Sequence, residues 1–202
     1  PRLNRNEKEL SLDVNLEISQ GTKVFVVRIS IRGNTTTLDK VIRRQFDIVE
    51  GDPFNPRRIR RVADRIRSLN LFGSVNVTTR KGSEQNKIII DVVVTEKPTG
   101  SLSFGANYNS ADGVGLIGNF KEANFLGRGQ AVGLSLSTTS GTNNLGLSFT
   151  EPSLLSRDLS LNVGSEYRTT ISNNALYDTD EFNLSSTLTF PISENGRLGA
   201  KF

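Results

Sequence analysis

"TEKPTGSLSFGANYNSADGVG", residues 95–115, is where the chain changes its chemistry. Successive side chains of an extended strand point to opposite faces. On that period Leu102, Phe104, Ala106 and Tyr108 share one face, while Ser101, Ser103, Gly105, Asn107 and Asn109 share the other. The alternation then recurs to the last residue: Val114, Leu116, Gly118 and Phe120; Val132, Leu134 and Leu136; Leu145, Leu147 and Phe149. It continues through Leu159, Leu161, Val163 and Tyr167, then Phe182, Leu184, Leu188 and Phe190, and ends with Leu198, Ala200 and Phe202. Alternating runs separated by turn-rich segments predict an antiparallel meander.

The polar face decides its environment. A soluble sandwich solvates its outer face with charged side chains, but here that face is Ser, Thr, Gly and Asn, with Lys121, Glu166 and Arg168 among the few charges. A transmembrane barrel inverts the arrangement, turning apolar residues to lipid and small polar ones to a lumen. Its strands need about 9–11 residues each, which the runs supply. Tyr108, Phe120, Phe149, Tyr167, Phe182 and Phe190 are placed as an aromatic girdle at the membrane interfaces. The glycines of "GVGLIG" (113–118) lack the helix that a phosphate-binding loop requires and read as strand residues. Asp178, Asp180 and Glu181 read as a solvated loop.

Upstream of Pro98 the composition reverses. Residues 1–98 hold 19 Lys/Arg and 12 Asp/Glu, against 6 and 9 in the remainder, which carries 13 of the 18 glycines. "LSLDVNLEI" (10–18) alternates as a half-buried strand, and "KVFVVRISI" (23–31) predicts a second that ends at Gly33-Asn34. Leu38, Val41, Ile42 and Phe46 recur at helical spacing behind Thr37, a candidate N-cap. Asn55-Pro56 then opens a second helix whose Ile59, Val62, Ala63, Ile66 and Leu69 form one apolar stripe. Strands at 74–79 and 87–95 complete a strand-helix-helix-strand-strand order. Two helices on one face of three strands are enough to bury a small core.

Composition narrows the function. There is no Cys, so no disulfide framework and no thiolate metal site, and no His, the commonest member of triads and general-base arrangements. No catalytic residue, cofactor or metal ligand is expected. The second helix is strongly basic, with Arg57, Arg58, Arg60, Arg61, Arg65 and Arg67. It lacks the aromatic interleaving of a nucleic-acid surface, so a solvated face, an acidic partner or anionic head groups are preferred to nucleic acid. No apolar run approaches the roughly 20 residues of a membrane helix. With no Met and an alternation running to Phe202, the chain reads as an interior segment of a longer protein.

"VFVVRISIRGNTTT", "VIRRQFDIVEGDPFN", "RIRSLNLFGSVNV" and "VVVTEKPTGSLSFGANYNSADGVG" resemble the last POTRA domain and barrel start of the BamA family of outer-membrane barrel assembly factors. "NFLGRGQAVGLSLS" and "SFTEPSLLSRDLSL" are similar to the next strands of that family's barrel. The resemblance implies an α+β POTRA domain followed by the antiparallel transmembrane strands of an incomplete barrel. Its domains are the C-terminal strand of a preceding POTRA domain (1–21), a POTRA domain (22–97) and N-terminal barrel strands (98–202). It places the chain in a bacterial outer membrane with the POTRA part in the periplasm. The implied partners are unfolded outer-membrane protein clients, accessory periplasmic lipoproteins and outer-membrane lipid.

The implied sites follow the same resemblance. Clients add to the edge strand Ser74, Val75, Asn76, Val77, Thr78 and Thr79, because an open edge offers unpaired N–H and C=O groups. A lipoprotein docks at Arg43, Arg44 and Glu50. The barrel seam is the strand of Leu102, Phe104, Ala106 and Tyr108, and Pro98 is a hinge. Two alternatives stand beside this reading: a translocation pore of the same superfamily, of two-partner-secretion or TamA type, and a soluble β-rich, adhesin-like module.

Overall fold

A computed structural model of the chain describes residues 2–6, 11–15, 22–84, 86–110, 113–171, 177–193 and 196–202. Its strands fall into three sheets of two, three and seven strands, and the division between the last two lies at the change in composition. The first sheet pairs β1 (Arg2–Asn6) with β2 (Ser11–Asn15) antiparallel, Leu3 opposite Val14. A single strand over 10–18 was expected here; the rest of that span lies outside the described residues. β1 escapes a periodicity reading because RLNRN carries one apolar residue and so has no alternation to detect.

The second unit runs β3 (Phe25–Arg32), α1 (Asp39–Arg43), α2 (Pro56–Ser68), β4 (Phe72–Lys81) and β5 (Lys87–Glu96). Its sheet order is β3-β5-β4, with β3 parallel and β4 antiparallel to β5. β5 therefore occupies the centre and supplies Ile90, Val92 and Val94 to the core. Val26 and Ile29 of β3, Val41 and Ile42 of α1, and Ile59, Val62 and Ile66 of α2 close over them. Each fully buried aliphatic side chain contributes about 1.5–3 kcal/mol.

The two helices obey their termini differently. α2 starts as the sequence predicts: the Asn55 side chain accepts from the amides of Arg57 (2.9 Å) and Arg58 (3.4 Å), and Pro56 takes the first turn. α1 is shorter than its apolar stripe, and its N-cap is Leu38, with no side-chain bond, rather than Thr37. Thr37 is buried and bonded elsewhere, so it cannot cap. Phe46 lies beyond the helix yet still packs against the core.

The third sheet is a continuous meander in the order β12-β11-β10-β9-β8-β7-β6. Its strands are β6 (Gly100–Asn109), β7 (Gly113–Phe125), β8 (Gln130–Thr138), β9 (Thr142–Glu151), β10 (Ser160–Thr170), β11 (Thr179–Pro191) and β12 (Arg197–Lys201). "GVGLIG" lies in β7 as strand. Register keeps the two faces separate across the whole sheet. Leu102, Phe120, Leu134, Leu147, Ser165 and Leu184 stand opposite one another in one row. Ser103, Asn119, Ser135, Gly146, Glu166 and Asn183 form a row on the other face.

Candidate functional site

The candidate surfaces are the strand edges, the two faces of the meander and the junction between units. The three-stranded sheet has two edges, and they are not equivalent. Along β3, the Val26 amide donates to the Asp52 carbonyl (2.9 Å) and the Val26 carbonyl accepts from Gly51 (2.7 Å), while the Phe54 amide donates to Val24 (2.8 Å). Further along, the Ile29 amide donates to Glu50 Oε1 (3.1 Å), and Arg43 Nη2 donates to the Ile29 carbonyl at 3.4 Å. The 50–54 segment and two charged side chains thus occupy that edge.

β4 pairs with β5 alone. On its other side, among the described residues, Arg67 Nη2 donates to the Val75 carbonyl at 3.2 Å. In an antiparallel strand a residue's N–H and C=O point the same way, so Val75, and by alternation Val77 and Thr79, turn their backbone groups outward. Ser74, Asn76 and Thr78 face their β5 partners Thr95, Val93 and Asp91. All six residues expected to receive an added strand therefore lie on this open edge strand. Among the described residues β6, which carries Leu102, Phe104, Ala106 and Tyr108, is likewise an edge strand, paired with β7. Its Phe104 is 80 % exposed and its Tyr108 76 %.

The three residues expected at a lipoprotein surface separate into two places. Arg43 and Glu50 line a shallow concavity of about 360 Å³ with Ile29, Phe46, Ile48 and Val49. Arg43 bonds Asp39 Oδ2 at 2.9 Å and lies 3.9 Å from Glu50. Arg44 instead turns toward the meander, with Nη1 4.0 Å from Glu151 Oε1. Burial lowers the pKa of the Arg44 guanidinium from its ordinary value, and the Glu151 carboxylate opposes that shift.

Pro98 sits in the non-strand linker 97–99 between β5 and β6. Just before it, the Glu96 carboxylate accepts from the Thr35 hydroxyl (2.7 Å) and from the amides of Thr36 (2.9 Å) and Thr37 (2.6 Å). Burial raises the pKa of this carboxyl, but the hydrogen bonds outweigh that effect and hold it at about 2. The turn held by Glu96 meets the β7–β8 connection. At the end of β7, Asn124 Nδ2 donates to Thr37 Oγ1 at 2.9 Å. The amide's orientation is fixed, because the Gly129 backbone N–H (2.8 Å) can only donate and so claims Asn124 Oδ1. Removing either partner strands a buried polar group, at a cost of about 1–3 kcal/mol. Sequence reasoning missed Thr37, Glu96 and Asn124 as a group, since Thr37 and Asn124 are 87 positions apart and nothing local joins them.

The polar face of the meander lines a concavity of about 1180 Å³ that includes Asn119, Lys121, Ser135, Asn144, Glu166 and Ser185. Asn144 Nδ2 donates to Glu166 Oε1 (2.9 Å), and so does Arg168 Nη2 (2.7 Å). The strand charges Lys121, Glu166 and Arg168 all project from this face. The aromatic residues sort by height on the other face. Tyr108, Tyr167 and Phe182 lie toward the end remote from the second unit, and Phe149 and Phe190 near its end. Phe120 departs from the girdle pattern, pairing with Leu102 and Leu134 near mid-strand.

Comparisons with known proteins agree with this division. Residues 24–97 match the POTRA family, described as a surface antigen variable number repeat, and residues 124–202 match the Omp85 superfamily domain. Over 202 residues the chain is 28% identical to the outer membrane protein assembly factor BamA of Nitratidesulfovibrio vulgaris, covering 98% of this chain and 25% of that protein. The crystal structure of BamA from Haemophilus ducreyi lacking POTRA domains 1-3 superposes with a TM-score of 0.82 at 25% identity, covering 99% of this chain and 38% of that one. CdiB from Escherichia coli shares the fold, with a TM-score of 0.60 at 14% identity over 89% of this chain and 38% of its own. The chain spans about a quarter of the length of the first curated relative and somewhat over a third of these solved chains.

Proposed function

The chain is a POTRA domain running into strands of the Omp85 superfamily, and from that premise we propose that it serves the assembly of outer-membrane β-barrel proteins. In this reading an unfolded client adds a strand to the open β4 edge and is then paired at β6, the edge of the lipid-facing sheet. The asymmetry of the POTRA sheet carries the proposal: β3 is plugged by Glu50, Arg43 and residues 51–54, whereas β4 turns backbone groups outward of which, among the described residues, the Val75 carbonyl is met by the exposed Arg67 side chain. Main-chain hydrogen bonding to such an edge is sequence-tolerant, which suits a factor handling many clients. Accessory lipoproteins dock at Arg43 and Glu50, beside the exposed Val49, with Arg44 committed to the junction. The POTRA domain works in the periplasm, and the meander stands in the outer membrane.

Proline at 75 or 77 tests the client edge. Those amides point away from β5, so Val75→Pro or Val77→Pro leaves the ladder intact while removing the donor an added strand needs. Client barrels in the membrane are expected to fall several-fold in cells carrying either variant in the full-length protein, with the variant itself at parental abundance. Undiminished client levels would remove edge augmentation as the mechanism.

A further inference from the structure

Among the described residues two polar side chains are buried, Thr37 and Asn124, and they bond each other across the junction of the POTRA domain and the strands. Buried polar groups are satisfied as a rule, and here each unit is completed by the other. The backbones meet as closely as the side chains. The Leu38 amide donates to the Gly127 carbonyl at 2.8 Å. Gly127 has φ +69°, and a Cβ placed on it would lie 2.1 Å from the Thr36 carbonyl oxygen. Only glycine permits both that conformation and that approach. Ala123 packs against the POTRA core from the strand side.

The linker is braced from both ends. Glu96 holds the 35–37 turn, while Glu122 of β7 accepts from the Thr99 hydroxyl (2.5 Å) and the Asn124 amide (2.6 Å). The Ala123 amide donates to the Thr99 carbonyl at 3.2 Å. Linker, β7–β8 turn and POTRA turn thereby close a ring of hydrogen bonds around Pro98.

We propose that the end of β7 and the 126–129 turn form a clasp that grips the 35–38 turn, fixes the angle at Pro98 and sets the β4 edge relative to β6. Thr37, Glu96, Asn124 and Gly127 are positioning residues: they need not touch a client, and they decide where the two edges that handle it stand. A hinge at Pro98 then moves only after the clasp is released. The geometry stands by itself; its purpose rests on the assembly reading given above.

These 202 residues contain no cysteine, so within them spin labels at Arg61→Cys and Arg157→Cys are unique reporters, one on the exposed face of α2 and one on the segment between β9 and β10. In lipid nanodiscs the full chain is expected to give one narrow inter-label distance. Asn124→Ala, Gly127→Ala and Thr37→Val each broaden it, and Thr37→Ser, which keeps the hydroxyl, restores the narrow peak. Unchanged far-UV circular dichroism in each variant shows that both units remain folded. Equally narrow distributions in all of them would overturn the clasp, as would a Thr37→Ser distribution as broad as that of Thr37→Val. The same substitutions in the full-length protein are expected to lower client assembly, with Thr37→Ser near parental. Broadened distances with full client assembly overturn the positioning role alone, an outcome separate from failure of the β4 proline test.

Discussion

Glu96 accepts hydrogen bonds from three consecutive residues, and that arrangement makes it acid-sensitive in a defined direction. Its carboxyl titrates at about 2 when folded against an ordinary value of 4.5. The groups meeting it are the hydroxyls of Thr37 and Thr35 and the backbone amides of Thr37 and Thr36, all uncharged. The unfolded chain binds the proton more readily, so the stabilisation is complete above about 4.5 and is lost as pH falls toward 2. Glu96→Gln should therefore lower the urea midpoint of the POTRA unit at neutral pH, and the gap from the parent should close on acidification through that window. A gap independent of pH would mean that the carboxylate charge is not what holds the turn. None of this was legible locally. Thr37 precedes a helical stripe and reads as an N-cap, but a side chain takes the partner that tertiary structure brings, and here Asn124 arrives from the other unit.

At the scale of elements, legibility follows how local the cause is. α2 is readable because Asn55, Pro56 and the Ile59–Val62–Ile66 stripe all lie inside it, and the structure keeps each in its expected role. Asn55→Ala should accordingly cost about 1 kcal/mol, measured by chemical denaturation, with Asn55→Asp close to parental because it can still accept the two amide bonds. α1 is half-readable: Val41 and Ile42 of its stripe are buried, but the helix ends at Arg43, whose side chain serves the β3 edge, and Arg44 turns to the junction. The plugging of β3 by Glu50 and Arg43 has no sequence signature either. It appears only when the 50–54 segment is seen returning along the strand, and it leaves β4 as the edge open to addition. The residues expected at a lipoprotein surface, Arg43, Arg44 and Glu50, were carried by family resemblance. Their split into an exposed Arg43/Glu50 pair and an inward Arg44 was not legible in the sequence; adjacent helical residues point about 100° apart.

For the molecule as a whole, the alternation that begins at Ser101 is a statement about solvent, and the register makes it sharper than the sequence could. One face of the meander carries Leu102, Phe104, Leu116, Leu147, Phe182 and Leu184, every one more than half exposed. A contiguous apolar surface of that extent is not tolerated in water. The opposite face carries the Ser, Asn and Gly rows together with Lys121, Glu166 and Arg168. A soluble adhesin-like sheet would have to hide the first face and a membrane barrel would have to line a lumen with the second, so the two readings predict opposite exposures. These 202 residues contain no tryptophan, which makes single substitutions in them clean reporters. In vesicles of lipids with brominated acyl chains, Leu102→Trp and Leu147→Trp should be strongly quenched, whereas Ser101→Trp and Asn119→Trp should retain most of their emission. The unsubstituted chain should in turn require detergent or lipid to stay dispersed. Equal quenching on the two faces, or a folded monomer in plain buffer, would reverse the assignment, because the apolar rows would then have found a partner other than lipid.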